Sequence, residues 1–146
     1  MNRELSVAEL QAMLDPSRFH QLFRPQVVSI DYETLKLTIE MTMRDEFERQ
    51  PGTGQWHGGT ISAIIDTVGC YTLALLANEP LPTINFRTDY LRPAIDTNLQ
   101  ATGWIRQAGR RVGVVDVDVL DDTNRLIALG RASYAIDTGV RAPRPS

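Results

Sequence analysis

Residues 54–77 read GQWHGGTISAIIDTVGCYTLALLA, a His-Gly-Gly turn that leads into a long apolar run. The run from Thr60 to Ala77 has 18 residues, which approaches the length of a membrane span. Asp66, Gly69 and several hydroxyl groups interrupt it, and strand-like patterns follow it. These interruptions favour the core helix of a folded domain over a membrane span.

Strand patterns lie on both sides of this helix. The clearest is LKLTIEMTMR at 35–44, in which every second residue is apolar, as in a half-buried strand. The stretch PQVVSI, separated from it by DYET, is its expected hairpin partner. Turn sequences divide four further predicted strands, at 83–91, 98–107, 111–120 and 126–136, and the last three favour an antiparallel meander.

The order of these elements predicts an α+β fold. Alternating strands leave one face of a sheet apolar, and that face must be covered. The helix at 60–77 is the only element apolar enough, so we expect a curved antiparallel sheet of five to six strands wrapped around it. We divide the chain into an N-terminal helical segment, 1–24, with a helix over 5–14, and a single domain, 25–146.

Composition and charge reduce the number of functional classes that fit this chain. The formal net charge of −3 gives no electrostatic case for nucleic acid. Cys70 is the only cysteine, which excludes an intrachain disulfide and is compatible with a reducing compartment. The first residues lack the apolar core of a signal peptide. We therefore expect a cytoplasmic protein that binds neither nucleic acid nor a membrane.

The long helix carries one acid, Asp66. On a helical wheel, the residues opposite Asp66 form the expected core stripe, namely Ile61, Ile64, Val68, Tyr71 and Leu75. The residues beside it are small, so that a second helix or a ligand can approach: Ser62, Ala63, Gly69 and Cys70. Two interpretations stay open. Asp66 is solvent-exposed or hydrogen-bonded to Ser62 or Thr67, or it is a general base or a nucleophile.

The start of the helix is a second candidate site. Gly58 and Gly59 leave their backbone N–H groups accessible where the helix dipole favours an anion or a developing oxyanion. The alternative is that the two glycines only permit a sharp turn. No acid lies near His57 in sequence, so we expect this histidine to orient the loop or a ligand.

A distance limits how these groups combine. Gly58 and Asp66 are eight residues apart, which is about 12 Å along a helix axis. A short carboxylate cannot span that gap, so one copy of the chain cannot supply both groups to one reaction. If both act together, Asp66 comes from a second copy, and a two-fold axis gives two identical sites per dimer.

The motif HGGTISAIIDTVG, followed by TINFRTDYLRPA, resembles the hotdog-fold acyl-CoA thioesterases of the phenylacetate-pathway (PaaI-like) type, in the hydroxybenzoyl-CoA thioesterase superfamily. The resemblance covers about residues 25–137. It implies a hotdog fold and hydrolysis of acyl-CoA, with no metal and no cofactor besides the coenzyme A of the substrate. It also implies a homodimer or a dimer of dimers, that is, a homotetramer.

The resemblance also implies catalytic roles. Gly58 donates its N–H to the thioester carbonyl, and Asp66 acts across the dimer interface as nucleophile or base. Thr83 matches a hydroxyl that orients water, and His57 matches the histidine that positions the thioester. The expected substrate-binding residues are Gly59 at the helix start, Gln55 before it, Tyr71 in the pocket, and three arginines that could hold coenzyme A phosphates, Arg106, Arg110 and Arg111.

One position departs from the pattern, because Pro51 stands where relatives often carry an asparagine. Gln50 or Gln55 is the candidate substitute. The arginines could equally form a solvated hairpin tip. Two rival functions remain, a non-catalytic acyl-CoA binding or sensing protein and a hotdog hydratase or dehydratase. The acyl group stays open.

Overall fold

The computed structural model describes residues 3–136, so residues 137–146 of the predicted domain lie outside it. Within these bounds the chain forms three α-helices, one turn of 3-10 helix and six strands. The helices are α1 (Val7–Leu14), α2 (Arg18–Phe23) and α3 (Gly58–Ala77), with the 3-10 turn at Asp45–Phe47. The strands are β1 (Gln26–Asp31), β2 (Lys36–Met41), β3 (Thr83–Tyr90), β4 (Leu99–Ala108), β5 (Val112–Asp121) and β6 (Leu126–Ala135).

The strands form one antiparallel sheet in the order β1-β2-β4-β5-β6-β3. The predicted hairpin of β1 with β2 and the predicted meander of β4, β5 and β6 are both confirmed. Helix α3 carries the chain from β2 across the sheet, and β3 then pairs with β6 at the edge opposite β1. The apolar side chains Ile84, Phe86 and Tyr90 of this edge strand are exposed.

Helix α3 covers one face of the sheet, as the sequence predicts. All five residues of the predicted core stripe are buried. The helix lies close to the strands because three of them carry glycine beneath it. A Cβ at Gly103, Gly113 or Gly130 would stand within 2.6 Å of a side-chain atom of α3. By length and composition α3 also qualifies as a membrane span, but eleven of its residues are buried in this domain.

The N-terminal segment belongs to the same core. Helix α1 begins at Val7 with the predicted capping box, in which Ser6 and Glu9 each bond the backbone of the other. Leu10, Leu14 and Phe23 are buried in the main hydrophobic cluster. The short helix α2 was not predicted, since it has only six residues and no side-chain cap at its start. Both helices lie against the domain that follows them.

Candidate active site

A network of backbone bonds fixes the loop before α3. Trp56 is buried, its N–H donates to the carbonyl of Ala94, and its indole N–H donates to the carbonyl of Thr97, 2.8 Å away. The indole also stacks on Phe47, with ring centroids 5.4 Å apart. The His57 N–H donates to the carbonyl of Phe47 at 2.7 Å. These bonds fix the backbone of His57, the residue directly before the first residue of α3.

His57 is the N-cap of α3. Its Nδ1 accepts the Gly59 N–H at 2.8 Å. An accepting Nδ1 carries no proton, so the imidazole is the neutral tautomer with its hydrogen on Nε2. This contact agrees with the orienting role expected from the sequence. It also occupies the Gly59 N–H, which leaves the Gly58 N–H as the free donor of the pair.

Close contacts explain why both residues at the helix start are glycine. Neither Gly58 nor Gly59 has a positive φ, so no left-handed backbone conformation requires glycine at these positions. A Cβ at position 58 would stand 3.3 Å from the Tyr90 ring, and one at position 59 would stand 3.0 Å from Nδ1 of His57. The missing side chains make room for these two neighbours.

Within residues 3–136, no group accepts the N–H of Gly58. Gly58 lines a cavity of 370 Å³ with Gln55, Tyr90 and Arg92. Of the two glutamines expected to replace the family asparagine, Gln55 borders this cavity, whereas Gln50 is exposed on the preceding loop. The first turn thus offers one unpaired donor beside an open space.

Asp66 lies half-buried on the side of α3 that faces away from the sheet. Its Oδ1 accepts a hydrogen bond from the Thr83 hydroxyl at 2.7 Å. The structure therefore brings together two predicted catalytic residues that are 17 positions apart. The side chain of Ser62, the suggested alternative partner, lies instead against Thr88 and Tyr90, at 3.1 and 2.5 Å.

Asp66 lines a cavity of 450 Å³ that runs along the exposed face of α3. Helix α2 forms one wall with Phe19 and His20, and β3 forms the other with Thr83 and Phe86. The floor is the helix itself, mainly the small residues Gly59, Ser62, Ala63 and Cys70. We call this space the Asp66 groove.

A second cavity, of 430 Å³, adjoins the Asp66 groove. The two share Phe19, Gly59 and Ala63 as lining residues. The second cavity is walled largely by the apolar residues Leu22, Phe23 and Phe47, and His57 stands at its border. Phe19 therefore separates the groove from an apolar chamber next to the helix start.

Gly69 does not leave room beside Asp66, contrary to the helical-wheel expectation. The buried Tyr134 fills that space, and its hydroxyl donates to the Asp66 backbone carbonyl at 2.6 Å. A Cβ at position 69 would stand 2.3 Å from that hydroxyl oxygen. Burial raises the pKa of Tyr134, so its hydroxyl stays protonated as a donor. Gly69 therefore serves the packing of the sheet.

Tyr71 belongs both to the core and to the groove. Only 5% of it is exposed, yet it lines the cavity that holds Asp66. Burial raises its pKa to about 12. Its ring meets the edge of His20, with centroids 5.6 Å apart. His20 was not marked by the sequence, because its place in the groove depends on how α2 docks.

The three predicted arginines lie far from Gly58 within one chain. Arg106 pairs with Asp116 at 3.3 Å, and Arg110 and Arg111 occupy the turn between β4 and β5. That turn leads into Gly113, which packs on Leu73 near the end of α3. Leu73 is 15 residues from Gly58, so the separation is about 22 Å along the helix.

Sequence comparisons identify a family and known proteins to which this chain is similar. The thioesterase superfamily matches residues 53–128. The acyl-coenzyme A thioesterase PaaI of Escherichia coli is 29% identical over 110 residues, 72% of each chain. A protein of Halobacterium salinarum named as an esterase is 30% identical over 96 residues. These residues are 59% of this chain, and the match spans 63% of the length of that relative.

Comparison with solved structures identifies the same superfamily. A crystal structure described as a protein from the thioesterase superfamily superimposes with a TM-score of 0.84 and 27% sequence identity. The superposition covers 90% of this chain and 98% of that one. The sheet wrapped around α3 is thus shared almost from end to end.

Proposed function

The chain belongs to the thioesterase superfamily, and from that premise we propose that it hydrolyses acyl-CoA thioesters in a site built by two copies of the chain. The family and the hotdog fold predicted from the sequence are confirmed. The predicted enzyme class, acyl-CoA thioesterase, is confirmed at the level of the family. The observation that carries the proposal is a Gly58 amide without an acceptor among the described residues, on the same helix as a carboxylate held by Thr83.

Gly58 would stabilise the oxyanion. When a thioester carbonyl is attacked, negative charge develops on its oxygen, and a preorganised N–H lowers the energy of that state. The amide at position 58 lies at the positive end of a 20-residue helix and has no acceptor of its own in the described chain. The neighbouring amide of Gly59 is already bonded to His57.

Asp66 would supply the base or the nucleophile. As a base, it takes a proton from water while the water oxygen bonds to the carbonyl carbon; the C–S bond then breaks and the proton goes to the CoA thiolate. As a nucleophile, its oxygen displaces the thiolate, and water hydrolyses the resulting anhydride. In both routes the Thr83 hydroxyl holds one carboxylate oxygen and leaves the other available.

The geometry of α3 supports a shared site. The helix is continuous from Gly58 through Asp66, so the two groups of one chain stand about 12 Å apart along its axis. A two-fold axis that sets two copies of α3 antiparallel would bring each Asp66 to the other chain's Gly58. The exposed apolar edge strand β3 is a suitable contact for such a dimer. The same symmetry would carry the β4–β5 arginines toward the partner's site.

Complementation between two inactive variants tests the shared site. One variant is Asp66→Asn. The other is Gly58→Pro, which removes the N–H at a helix position where proline is well tolerated, and His57 before it already has ψ 134°, in the range preferred before proline. Gly58→Ala is the matched control, because it adds a similar Cβ but keeps the N–H.

The two variants are co-expressed with different tags and assayed on acyl-CoAs of varied chain length and aryl content. A shared site predicts that each variant alone is inactive and that the mixture recovers about a quarter of wild-type activity, because half of the random dimers contain one intact site. No recovery in a purified mixed dimer would contradict the proposal. Label found in Asp66 after a single turnover in oxygen-18 water would identify the nucleophilic route, with water attacking the aspartyl carbonyl of the anhydride.

The same panel separates the rival functions. Tight acyl-CoA binding without release of thiol would indicate a binding or sensing protein. Addition of water to an enoyl-CoA would indicate a hydratase, but the structure offers that reaction little support. His57 bonds the first turn of its own helix, whereas a hydratase needs a histidine and an acid placed to move a proton at the β-carbon.

A further inference from the structure

Tyr90 reaches from the end of β3 over the first turn of α3. Its hydroxyl donates to the carbonyl oxygen of Gly58 at 2.5 Å. The Ser62 hydroxyl lies 2.5 Å from the same Tyr90 oxygen. The Ser62 hydroxyl also donates to the hydroxyl of Thr88, at 3.1 Å. Tyr90 is thus bonded to the Gly58 carbonyl and contacts Ser62 one turn further along the helix.

This bond and the N-cap bond hold the two ends of one peptide group. The peptide between residues 58 and 59 presents the Gly58 carbonyl to Tyr90 and the Gly59 N–H to His57. A peptide group is planar, so bonds at both ends fix the rotation of its plane. Two adjacent glycines would otherwise permit wide rotation. We call this arrangement the peptide clamp.

The peptide clamp affects the Gly58 N–H, which is the donor proposed to stabilise the oxyanion. The N–H of Gly58 belongs to the preceding peptide, whose carbonyl accepts the N–H groups of Thr60 and Ile61. The Gly58 N–H lies in the plane of that preceding peptide, so rotation of this plane would turn it away from a bound carbonyl. The clamp on the next peptide restricts the Gly58 backbone torsions that join the two planes, and so it helps to fix the direction of the N–H.

We propose that Tyr90 is a positioning residue of the thioester site and acts through Gly58. The inference rests on the proposed function, since the direction of this N–H matters only if a thioester carbonyl binds it. It also explains the glycine at position 58, where any Cβ would press on the tyrosine ring. Tyr90 lies in the stretch TINFRTDYLRPA that carries the family resemblance, and no role for this tyrosine follows from the sequence.

Kinetics of Tyr90→Phe provide the first test. Phenylalanine keeps the ring over Gly58 and removes only the hydroxyl. We expect kcat to fall about 10- to 100-fold, because a small misplacement of a catalytic donor has effects of that order, while KM changes less than about twofold. The matched control is Tyr32→Phe, which also removes a hydroxyl that donates to a backbone carbonyl, that of Leu5. The control should keep full kcat, and an unchanged kcat in Tyr90→Phe would overturn the proposal.

The infrared carbonyl band of a bound acyl-CoA provides a second test that needs no turnover. In Asp66→Asn protein, a thioester polarised by the Gly58 N–H should absorb at lower frequency than the free thioester. Adding Tyr90→Phe should move the band back toward the free value, and adding Tyr32→Phe should not. An identical band with and without the Tyr90 hydroxyl would overturn the clamp.

Amide hydrogen exchange of the ligand-free protein separates failure of the clamp from failure of the proposed function. The Gly59 N–H should exchange faster in Tyr90→Phe than in wild type, and at the wild-type rate in Tyr32→Phe. If no acyl-CoA is hydrolysed or bound but Gly59 exchange responds in this way, the proposed function fails and the clamp stands. Unchanged Gly59 exchange in Tyr90→Phe would remove the clamp whatever the activity.

Discussion

The two faces of helix α3 differ in packing: one is buried against the sheet, and the other borders a cavity. On the face toward the sheet, Ile64 and Val68 have no exposed surface. A Cβ added at Gly130 of the sheet would press on Ile65 of the helix at 2.6 Å. On the opposite face, the small residues Gly59 and Ala63 and the carboxylate of Asp66 border open space.

This contrast separates stability from chemistry within one helix. A close-packed layer has no room for a ligand and would penalise an unpaired charge. The carboxylate therefore lies where side-chain volume is missing, and the Thr83 hydroxyl holds it. Substitutions on the sheet face should lower the free energy of unfolding, whereas substitutions on the groove face should change turnover. Variants at the two faces of α3 test that division.

Asp66→Asn should have the largest effect on turnover. The amide keeps the size and a hydrogen bond with Thr83 but cannot take a proton or attack a carbonyl. We expect kcat to fall about a thousandfold, with the melting temperature and oligomeric state unchanged. Thiol release from acyl-CoA and a thermal melt measure the two properties. Wild-type turnover in this variant would mean that the groove face does not carry the chemistry.

Ile64→Ala tests the sheet face. Ile64 is fully buried, and removal of such a side chain from a core lowers the free energy of unfolding by about 3 kcal/mol. Leu76→Ala on the same helix is the control, since Leu76 is 38% exposed and should lose much less. Urea unfolding measures both. Equal losses would show that the two faces do not differ in packing.

Thr83→Val tests whether the hydrogen bond from the Thr83 hydroxyl to the Asp66 carboxylate affects turnover. Valine keeps the shape and removes the 2.7 Å bond to the carboxylate. We expect kcat to fall about tenfold, because a hydrogen bond to a charged group contributes about 1.5–3 kcal/mol and part of that orients the carboxylate. Thr38→Val removes the hydroxyl of a cross-strand pair with Thr102 and should leave kcat unchanged. A loss shared by both variants would point to a general structural effect.

Phe19→Ala should change which acyl group is preferred. The Phe19 ring lies between the Asp66 groove and the apolar chamber, so its removal would join the two spaces. We expect the ratio of kcat/KM for long against short acyl-CoA to rise about tenfold, since each added buried methylene contributes about 0.8 kcal/mol. An unchanged ratio would show that the acyl chain does not pass this residue.

Cys70→Ala should have the smallest effect, although the thiol borders the groove near Asp66. Burial raises the pKa of Cys70 to about 11, and its thiol bonds the Leu81 carbonyl. At pH 7 the thiolate is then only about one molecule in ten thousand. We expect turnover to stay within about twofold of wild type. A large loss would instead identify the thiol as a nucleophile.

Much of the fold could be read from periodicity. The alternation in LKLTIEMTMR predicted β2 and its buried face, and the apolar run after Gly58 predicted α3 and the stripe that packs on the sheet. These patterns are local, because side-chain direction repeats every two residues in a strand and every 3.6 in a helix. Helix α2 was not predicted, because six residues are too few to show the helical repeat of apolar positions.

The site was only partly predictable. The residue types and the resemblance pointed to Gly58, Asp66 and Thr83, and the rise of a helix separated the first two. The contacts of Gly69 and His20 could not be foreseen, since they depend on Tyr134 from a distant strand and on the docking of α2. The β4–β5 arginines were expected to hold coenzyme A phosphates, yet within one chain they lie near the end of α3 opposite Gly58.

The length of α3, its apolar face and the gap between Gly58 and Asp66 follow from the order of the amino acids, because backbone geometry sets them residue by residue. The bonds from Thr83 to the carboxylate and from Tyr90 to the first turn depend on the folded domain. These partners meet because α3 carries the chain across the sheet and β3 then forms the edge strand beside the helix, an arrangement set by the packing of the whole domain.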